Sequence, residues 1–555
     1  MSESAVPDAW AGWSSFAADI ARQKYCHVRP DGSQETWPDV ARRVATSVYS
    51  AVPAPPELVA ATEAAIARRE FLPAGRYLYA AGRPFHQVNN CLLLRAEDSR
   101  EGWADLMQKA MMALMTGAGI GVVYSDVRPK GSVIRKTGGT ATGPCALMEM
   151  LNEAGRFIQQ GGGRRSAIWA GLVWSHPDVE LFCRLKDWSP EIRALKAKDY
   201  NARAPMDGTN ISVILDTAFF AAYHDAADPR HALARRVYWL VVRQMLETAE
   251  PGFSVDCGEN EGENLRNACT ELVSRDDSDI CNLGSINLAR IRDIEHFKEV
   301  LNLAVPFLLA GTVYSDVPYA KVAEVRAKNR RLGLGLMGVH EWLLQRGKAY
   351  GPDAELAEYL EVYETSTEVA AAWADRWGLS RPVKTRAMAP NGTIGIVGET
   401  TTSGESMLCA AYKRRYLVGD VVNYQYVIDP AARRLVASGV APEAIEDAYT
   451  LAADVRRRVA FQAWLQGYVD HAISSTINLP AWGSEHNNPD TVQAFGDMLM
   501  EHLPGLRGVT CYPDGARGGQ PLTPVPYRVA AAAEGQVFEE YGDVCVLTKG
   551  GTCGS

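Results

Sequence analysis

Between residues 267 and 288 the chain sets an amide, a thiol and a carboxylate two residues apart, in Asn267-Ala268-Cys269-Thr270-Glu271. It then runs through Ile280-Cys281-Asn282-Leu283-Gly284-Ser285-Ile286-Asn287-Leu288. In an extended segment alternate side chains share a face, so Asn267, Cys269 and Glu271 would point the same way. A hydrogen-bonding amide, a redox-capable sulfur and a general base would then meet near one point. Cys281 follows twelve residues after Cys269 on an apolar, strand-like run. The alternative is a surface turn with an incidental thiol, because cysteine often serves as a small buried hydrophobe. The rest of the chain decides between them.

At 555 residues the chain has room for three or four domains, or for one large α/β barrel with appendages. Its 47% hydrophobic and 22% charged residues are those of a globular protein with a substantial core. A formal charge of −9 argues against a nucleic-acid polymer as partner but leaves small phosphate ligands open. The polar start Met1-Ser2-Glu3-Ser4 is unlike a basic-then-apolar leader, and no apolar run approaches the ~18 residues of a membrane span. A cytoplasmic protein is expected. The eleven cysteines include no CxxC pair and no Cys/His spacing of the zinc type, so no metal held by side chains is expected. In a reducing compartment most of these thiols would be core filler.

Residues 8 to about 70 read as helical, with Trp10, Trp13, Phe16, Ile20, Val44 and Val48 at three- and four-residue spacings. The Pro/Gly break at 71–76 ends that unit. A β-like run, Val88-Asn89-Asn90-Cys91-Leu92-Leu93-Leu94, follows, and then a Met-rich helix over 103–116. The glycines of Gly117-Ala118-Gly119-Ile120-Gly121 come after a helix and lead into a strand. That is the reverse of the dinucleotide-binding order, so a Rossmann loop is rejected.

Two glycine-dense loops, 136–144 and 159–166, flank a helix over 146–158. The arginines beside the second loop offer planar donors to phosphates or base edges. Strand, helix and helix are expected over 209–217, 231–250 and 294–312, and a glycine-rich strand after Arg331. In Ala389-Pro390-Asn391-Gly392-Thr393-Ile394 several backbone N–H groups can point at one anion. The last residues carry Cys545 and Cys553 among glycines, which suggests a mobile tail built for thiol–disulfide exchange.

Taken together, Asn89-Asn90-Cys91, Thr137-Gly138-Gly139-Thr140-Ala141-Thr142-Gly143-Pro144, the 159–166 loop, Asn267-x-Cys269-x-Glu271, Cys281-Asn282-Leu283-Gly284-Ser285 and Ala389-Pro390-Asn391-Gly392-Thr393 resemble the catalytic chains of ribonucleotide reductases. The best match is the adenosylcobalamin-dependent class II. The resemblance runs in the family's order over essentially the whole chain. It implies an α/β fold: a ten-stranded barrel of two five-stranded parallel halves set antiparallel, threaded by a finger loop and preceded by a small helical region. The expected division is a helical region over 1–70, the barrel over 71–530, and a flexible redox tail over 531–555.

By the same resemblance Cys269 is the thiyl-radical residue, Glu271 the base on the substrate's 3′-hydroxyl, and Asn267 the amide that orients it. Cys91 and Cys281 match the pair that gives up a proton and two electrons, and Cys545 and Cys553 would re-reduce them. Asn90, Asn391, Gly392, Thr393 and Ile394 match the substrate site. Gln159, Gln160, Gly161 and Arg164 match the loop that relays effector identity. The partners implied are a ribonucleoside di- or triphosphate, a deoxynucleotide or ATP effector, and a thioredoxin-like reductant, with the chain a monomer or homodimer.

Tyr512 stands without the second tyrosine of class I chains, and no glycyl-radical signature is present, so the resemblance implies adenosylcobalamin. A class I-type chain served by a separate metal-containing radical subunit remains the alternative. A silent nucleotide-binding protein on the same fold is another. The usual Asn-Pro-Cys-Gly-Glu of the family is Asn-Ala-Cys-Thr-Glu here, a change that alters loop rigidity while keeping the three functional side chains.

Overall fold

The structure, a computed structural model, describes residues 10–160, 164–199, 202–258, 261–418, 421–516, 522–541 and 544–546. Three helices, Ser15–Lys24, Trp37–Tyr49 and Pro56–Ala67, open the chain. The second begins at a capping box between Thr36 and Asp39, which satisfies amides that the first turn would leave bare. Its Trp37, Val40, Val44 and Val48 form the buried stripe that their spacing predicts.

Five parallel strands make the first half of the barrel: β1 Cys91–Arg95, β2 Gly119–Val123, β3 Ile168–Val173, β4 Thr209–Asp216 and β5 Gly252–Asp256. The second half contains β6 Asp279–Asn287 beside β7 Leu332–Met337, and β8 Thr476–Leu479 beside β9 Gly508–Pro513, each pair parallel. Residues 384–389 fill the space between β7 and β8 through two parallel bridges, Leu334 with Arg386 and Met388 with Ile473. The halves meet antiparallel at β6 with β1 and at β9 with β5. The backbone hydrogen bonds thus run round a ring of ten strand segments, the two-halved barrel that the resemblance implies.

Helices between consecutive strands cover the outside, as parallel pairing requires. One apolar core joins the N-terminal helices to the second half, and a second joins helices such as Pro144–Phe157 and His231–Thr248 to the first half. Helix Ile294–Tyr314 is long and apolar enough to cross a membrane, yet it packs into the first of these cores. A third, smaller core lies inside the ring, where Leu265 and Leu272 touch Cys91, Trp169, Cys281, Leu283 and Ala387.

The expected open tail departs from the structure in part. Val537–Tyr541 and Val544–Val546 form a hairpin at the edge of a separate five-stranded sheet built on Ala411–Val418 and Val421–Ile428. Buried Phe538 explains the difference, since it packs on Tyr424 and Tyr426 with ring centroids 5.7 and 5.0 Å apart. Such aromatic burial outweighs the loop propensity of the flanking glycines.

Candidate active site

The finger is a hairpin inside the ring, with Leu265–Arg266 antiparallel to Val273–Ser274 and residues 267–272 at its tip. The tip is not extended, contrary to the expectation for 267–271. Thr270 N–H donates to the Asn267 carbonyl at 3.1 Å, and Thr270 takes φ 67°, so the chain turns at the thiol. The alternation rule does not apply across such a turn. The side chains are instead placed one by one by the ring around them.

Gly121 on β2 shows how closely the finger fits, because a Cβ there would lie 2.0 Å from the Arg266 carbonyl oxygen. The Gly119–Gly121 run, rejected above as a dinucleotide loop, is thus the clearance through which the finger passes. Buried charges hold the finger's base to the wall. Arg331 pairs with Asp279 at 2.7 Å and with Glu263 at 3.3 Å, and Lys384 reaches Glu263 at 2.9 Å. Ser274 Oγ adds a hydrogen bond to Asp279 at 2.7 Å.

A cavity of about 700 Å³ opens beside the tip. Cys91, Asn90, Cys269, Glu271, Asn391, Gly392, Thr393 and Ile394 all line it, so eight of the expected site residues converge. Asn267 and Cys281 lie just behind, fully buried. Asn267 Oδ1 accepts from Leu272 N–H at 3.0 Å, which closes the loop that carries Glu271. Burial pushes the Glu271 carboxyl up to about 7, against the lowering influence of the Asn267 amide. A carboxyl poised there can both take and return a proton near neutral pH.

Cys91 and Cys281 are direct partners across the antiparallel β1–β6 pair. Facing residues in such a pair lie about 4.5–5.5 Å apart at Cα, within the span of a disulfide. Burial, and then the negative charges of Asp279 and Glu271, push the Cys281 thiol well above its ordinary range and keep it protonated. Its S–H donates to the Asn282 carbonyl at 3.2 Å.

A second cavity of about 230 Å³ touches Cys269 as well, lined by Thr270, Ser474, Ser475, Thr476, Thr510 and Tyr512 among others. Its hydroxyls and the amide of Asn210 suit the ribose and adenine edges of a nucleoside, and its volume suits a group of that size rather than a macrocycle. Cys269 therefore borders two cavities, a large one shared with Cys91 and a small, hydroxyl-rich one.

Other expected residues fall elsewhere. Gln159 and Gln160 pair with Arg165 and Arg164 in a two-residue ladder, while Gly161 lies outside the described residues. Ala167, just beyond that ladder, lines the large cavity. Cys545 is on the edge strand opposite Glu540, and Cys553 lies outside the described residues. Sequence reasoning gave no site role to Gln23, Lys24, Tyr25, Arg76 and Tyr79, which complete the large cavity from the N-terminal region. The helical spacing of residues 8–70 speaks only of packing and specified no role for them.

Residues 89–372 match the family model described as the ribonucleotide reductase barrel domain, and residues 13–86 the model of that family's all-alpha domain. The chain is 27% identical over 518 residues to a vitamin B12-dependent ribonucleoside-diphosphate reductase of Mycobacterium tuberculosis, covering 82% of this chain and 72% of the relative. A protein of the same name from Thermoplasma acidophilum is 25% identical over 545 residues, covering 86% and 67%. A putative adenosylcobalamin-dependent ribonucleoside-triphosphate reductase of Mycobacterium phage D29 is 25% identical over 535 residues, covering 71% and 73%. With the barrel match spanning half of the chain and the finger seated in a ring of two parallel halves, the chain belongs to the ribonucleotide reductase family.

Proposed function

We propose that the chain reduces ribonucleotides to 2′-deoxyribonucleotides by a thiyl-radical mechanism, with adenosylcobalamin as the source of the radical. The observation that carries this is the place of Cys269, at the finger tip and on the wall of both cavities. The relatives named for vitamin B12 favour this cofactor over a separate radical subunit.

When bound, adenosylcobalamin would supply the radical chemistry by which the Cys269 thiol becomes a thiyl. Ser474, Ser475, Thr476 and Thr510 would hold its adenosyl group in the small cavity. The nucleotide takes the large cavity, with its phosphates at Asn391–Ile394 and its ribose near Asn90, Cys91 and Glu271. The Cys269 thiyl takes the 3′-hydrogen atom, and Glu271, held by Asn267, takes the proton of the 3′-hydroxyl. The 2′-hydroxyl leaves as water with a proton from the Cys91–Cys281 pair. That pair supplies the second hydrogen and both electrons and ends as a disulfide. Glu271 returns its proton to the 3′-oxygen and Cys269 returns its hydrogen atom to C3′. In balance, ribonucleotide and dithiol become deoxyribonucleotide, disulfide and water.

Cys545 and Cys553 re-reduce the pair and are themselves reduced by a thioredoxin-like protein. A deoxynucleotide or ATP effector acts through the loop of Gln159, Gln160, Gly161 and Arg164. The enzyme works in the cytoplasm as a monomer or homodimer. Replacing Cys269 with Ser tests the assignment: turnover falls below detection while nucleotide affinity stays within about twofold. Turnover retained in this variant would remove Cys269 from the mechanism.

A further inference from the structure

Just past the finger tip, three consecutive residues each have a backbone group fixed by a different partner. The Glu271 carbonyl accepts from Ala472 N–H at 2.9 Å, and Leu272 N–H donates to Asn267 Oδ1 at 3.0 Å. Val273 N–H donates to His471 Nδ1 at 3.2 Å. Two of the three partners are neighbours on one wall segment, itself built into the ring through His471 N–H to the Arg386 carbonyl at 3.0 Å and Met388 N–H to the Ala472 carbonyl at 3.2 Å. Among the described residues, His471 is the one on the wall whose side chain reaches a backbone group of these three.

The imidazole is fully buried and, because Nδ1 accepts, carries its proton on Nε2. Arg331, Lys384, Arg266 and Arg386 face it, with Glu263 and Asp279 balancing the first two. Burial, reinforced by those four cations, keeps the ring neutral, so Nδ1 remains an acceptor across the working pH range.

We propose that His471 is a positioning residue for Glu271, and through the tip turn for Cys269. By holding Val273 it fixes the exit of the loop, so the Glu271 carboxyl is aimed into the nucleotide cavity and kept dry. The inference rests on the proposed role of Glu271, and what it requires of His471 is an acceptor rather than a base.

The test compares His471→Asn and His471→Gln, which keep an acceptor, with His471→Leu, which does not. In His471→Leu, kcat falls roughly tenfold to a hundredfold while KM for the nucleotide changes less than about twofold, as expected for losing a buried hydrogen bond that aims a catalytic group. Its acidic limb also moves down from near 7 toward ordinary carboxylate values, because a released Glu271 gains water. At least one amide variant keeps both kcat and the limb near wild type. If the Leu variant does not fold, the amide variants still decide: folded, nucleotide-binding Asn and Gln variants that both lose activity overturn the proposal. A Leu variant with wild-type kcat and limb overturns it too. Amide exchange at Val273 needs no turnover, so it separates this inference from the proposed reaction. Protection is lost in the Leu variant and kept in an amide variant, and protection retained in the Leu variant contradicts the inference even if no nucleotide is reduced.

Discussion

Cys91 and Cys281 face each other directly across the antiparallel β1–β6 pair, where the two halves of the barrel join. Only Cys91 lines the large cavity; Cys281 lies behind it, fully buried. A single turnover without external reductant should leave one disulfide between these two residues per deoxyribonucleotide formed, read by peptide mass spectrometry. Replacing either residue with Ser should end turnover while preserving nucleotide binding. A disulfide between any pair other than this one, or Cys545 and Cys553 to which exchange can pass it, would contradict the assignment.

Glu271 gives the pH dependence a sign. A base must be deprotonated, so kcat rises with pH through about 7, the value to which burial pushes this carboxyl. The linkage runs the other way for stability. The folded state binds this proton more tightly than the unfolded one, so stability declines as pH rises from the ordinary carboxylate value to about 7, and is flat above it. Replacing Glu271 with Gln removes that penalty. The variant should be inactive yet more stable than wild type at pH 8, by up to roughly 3 kcal/mol in denaturant midpoint analysis. A variant that is less stable at pH 8 would show that the carboxylate is well accommodated.

Gly121 should not tolerate a side chain. Alanine there drives its Cβ into the Arg266 carbonyl, so the finger or the β2 strand must shift. Backbone cannot yield as a side-chain tip does, and the expected cost is about 1–3 kcal/mol of stability. A kcat loss of at least about tenfold should accompany it, since displacement of the tip misplaces both Cys269 and Glu271. Wild-type kcat in a folded Gly121→Ala variant would disprove close passage of the finger.

Thr270 occupies the position where the family's usual motif has Gly, and it does so at φ 67°. A β-branched residue there costs about 1–2 kcal/mol, partly offset by the chain entropy that glycine would lose. Thr270→Gly should therefore raise stability slightly, by about 0.5–1 kcal/mol, in a denaturant titration. A drop would mean that contacts of the Thr270 side chain in the small cavity outweigh the strain.

Much of this was legible in the chain. Apolar runs such as Cys91–Arg95 and Ile294–Tyr314 were legible as strand and helix, and the motif order implied the two-halved barrel. What stayed hidden depended on distant segments meeting. The extended reading of 267–271 failed because Thr270 reverses the chain, a conformation that a β-branched residue disguises. Lys24 and Tyr25 reach the cavity from a helical region whose own pattern speaks only of packing. His471 gave no sign in sequence, since its role rests on a backbone amide almost two hundred residues earlier. The pairing of Val537–Tyr541 with Val544–Val546 was disguised by glycines, while the burial of Phe538 depends on tyrosines more than a hundred residues away.

The most direct measurement is an anaerobic assay with a ribonucleotide and dithiothreitol, with and without adenosylcobalamin, scored for deoxyribonucleotide. Product that requires adenosylcobalamin, and that disappears in Cys269→Ser, is the predicted result. No product with the cofactor, but product once a metal-containing radical subunit is added, would contradict the account and make this a class I chain.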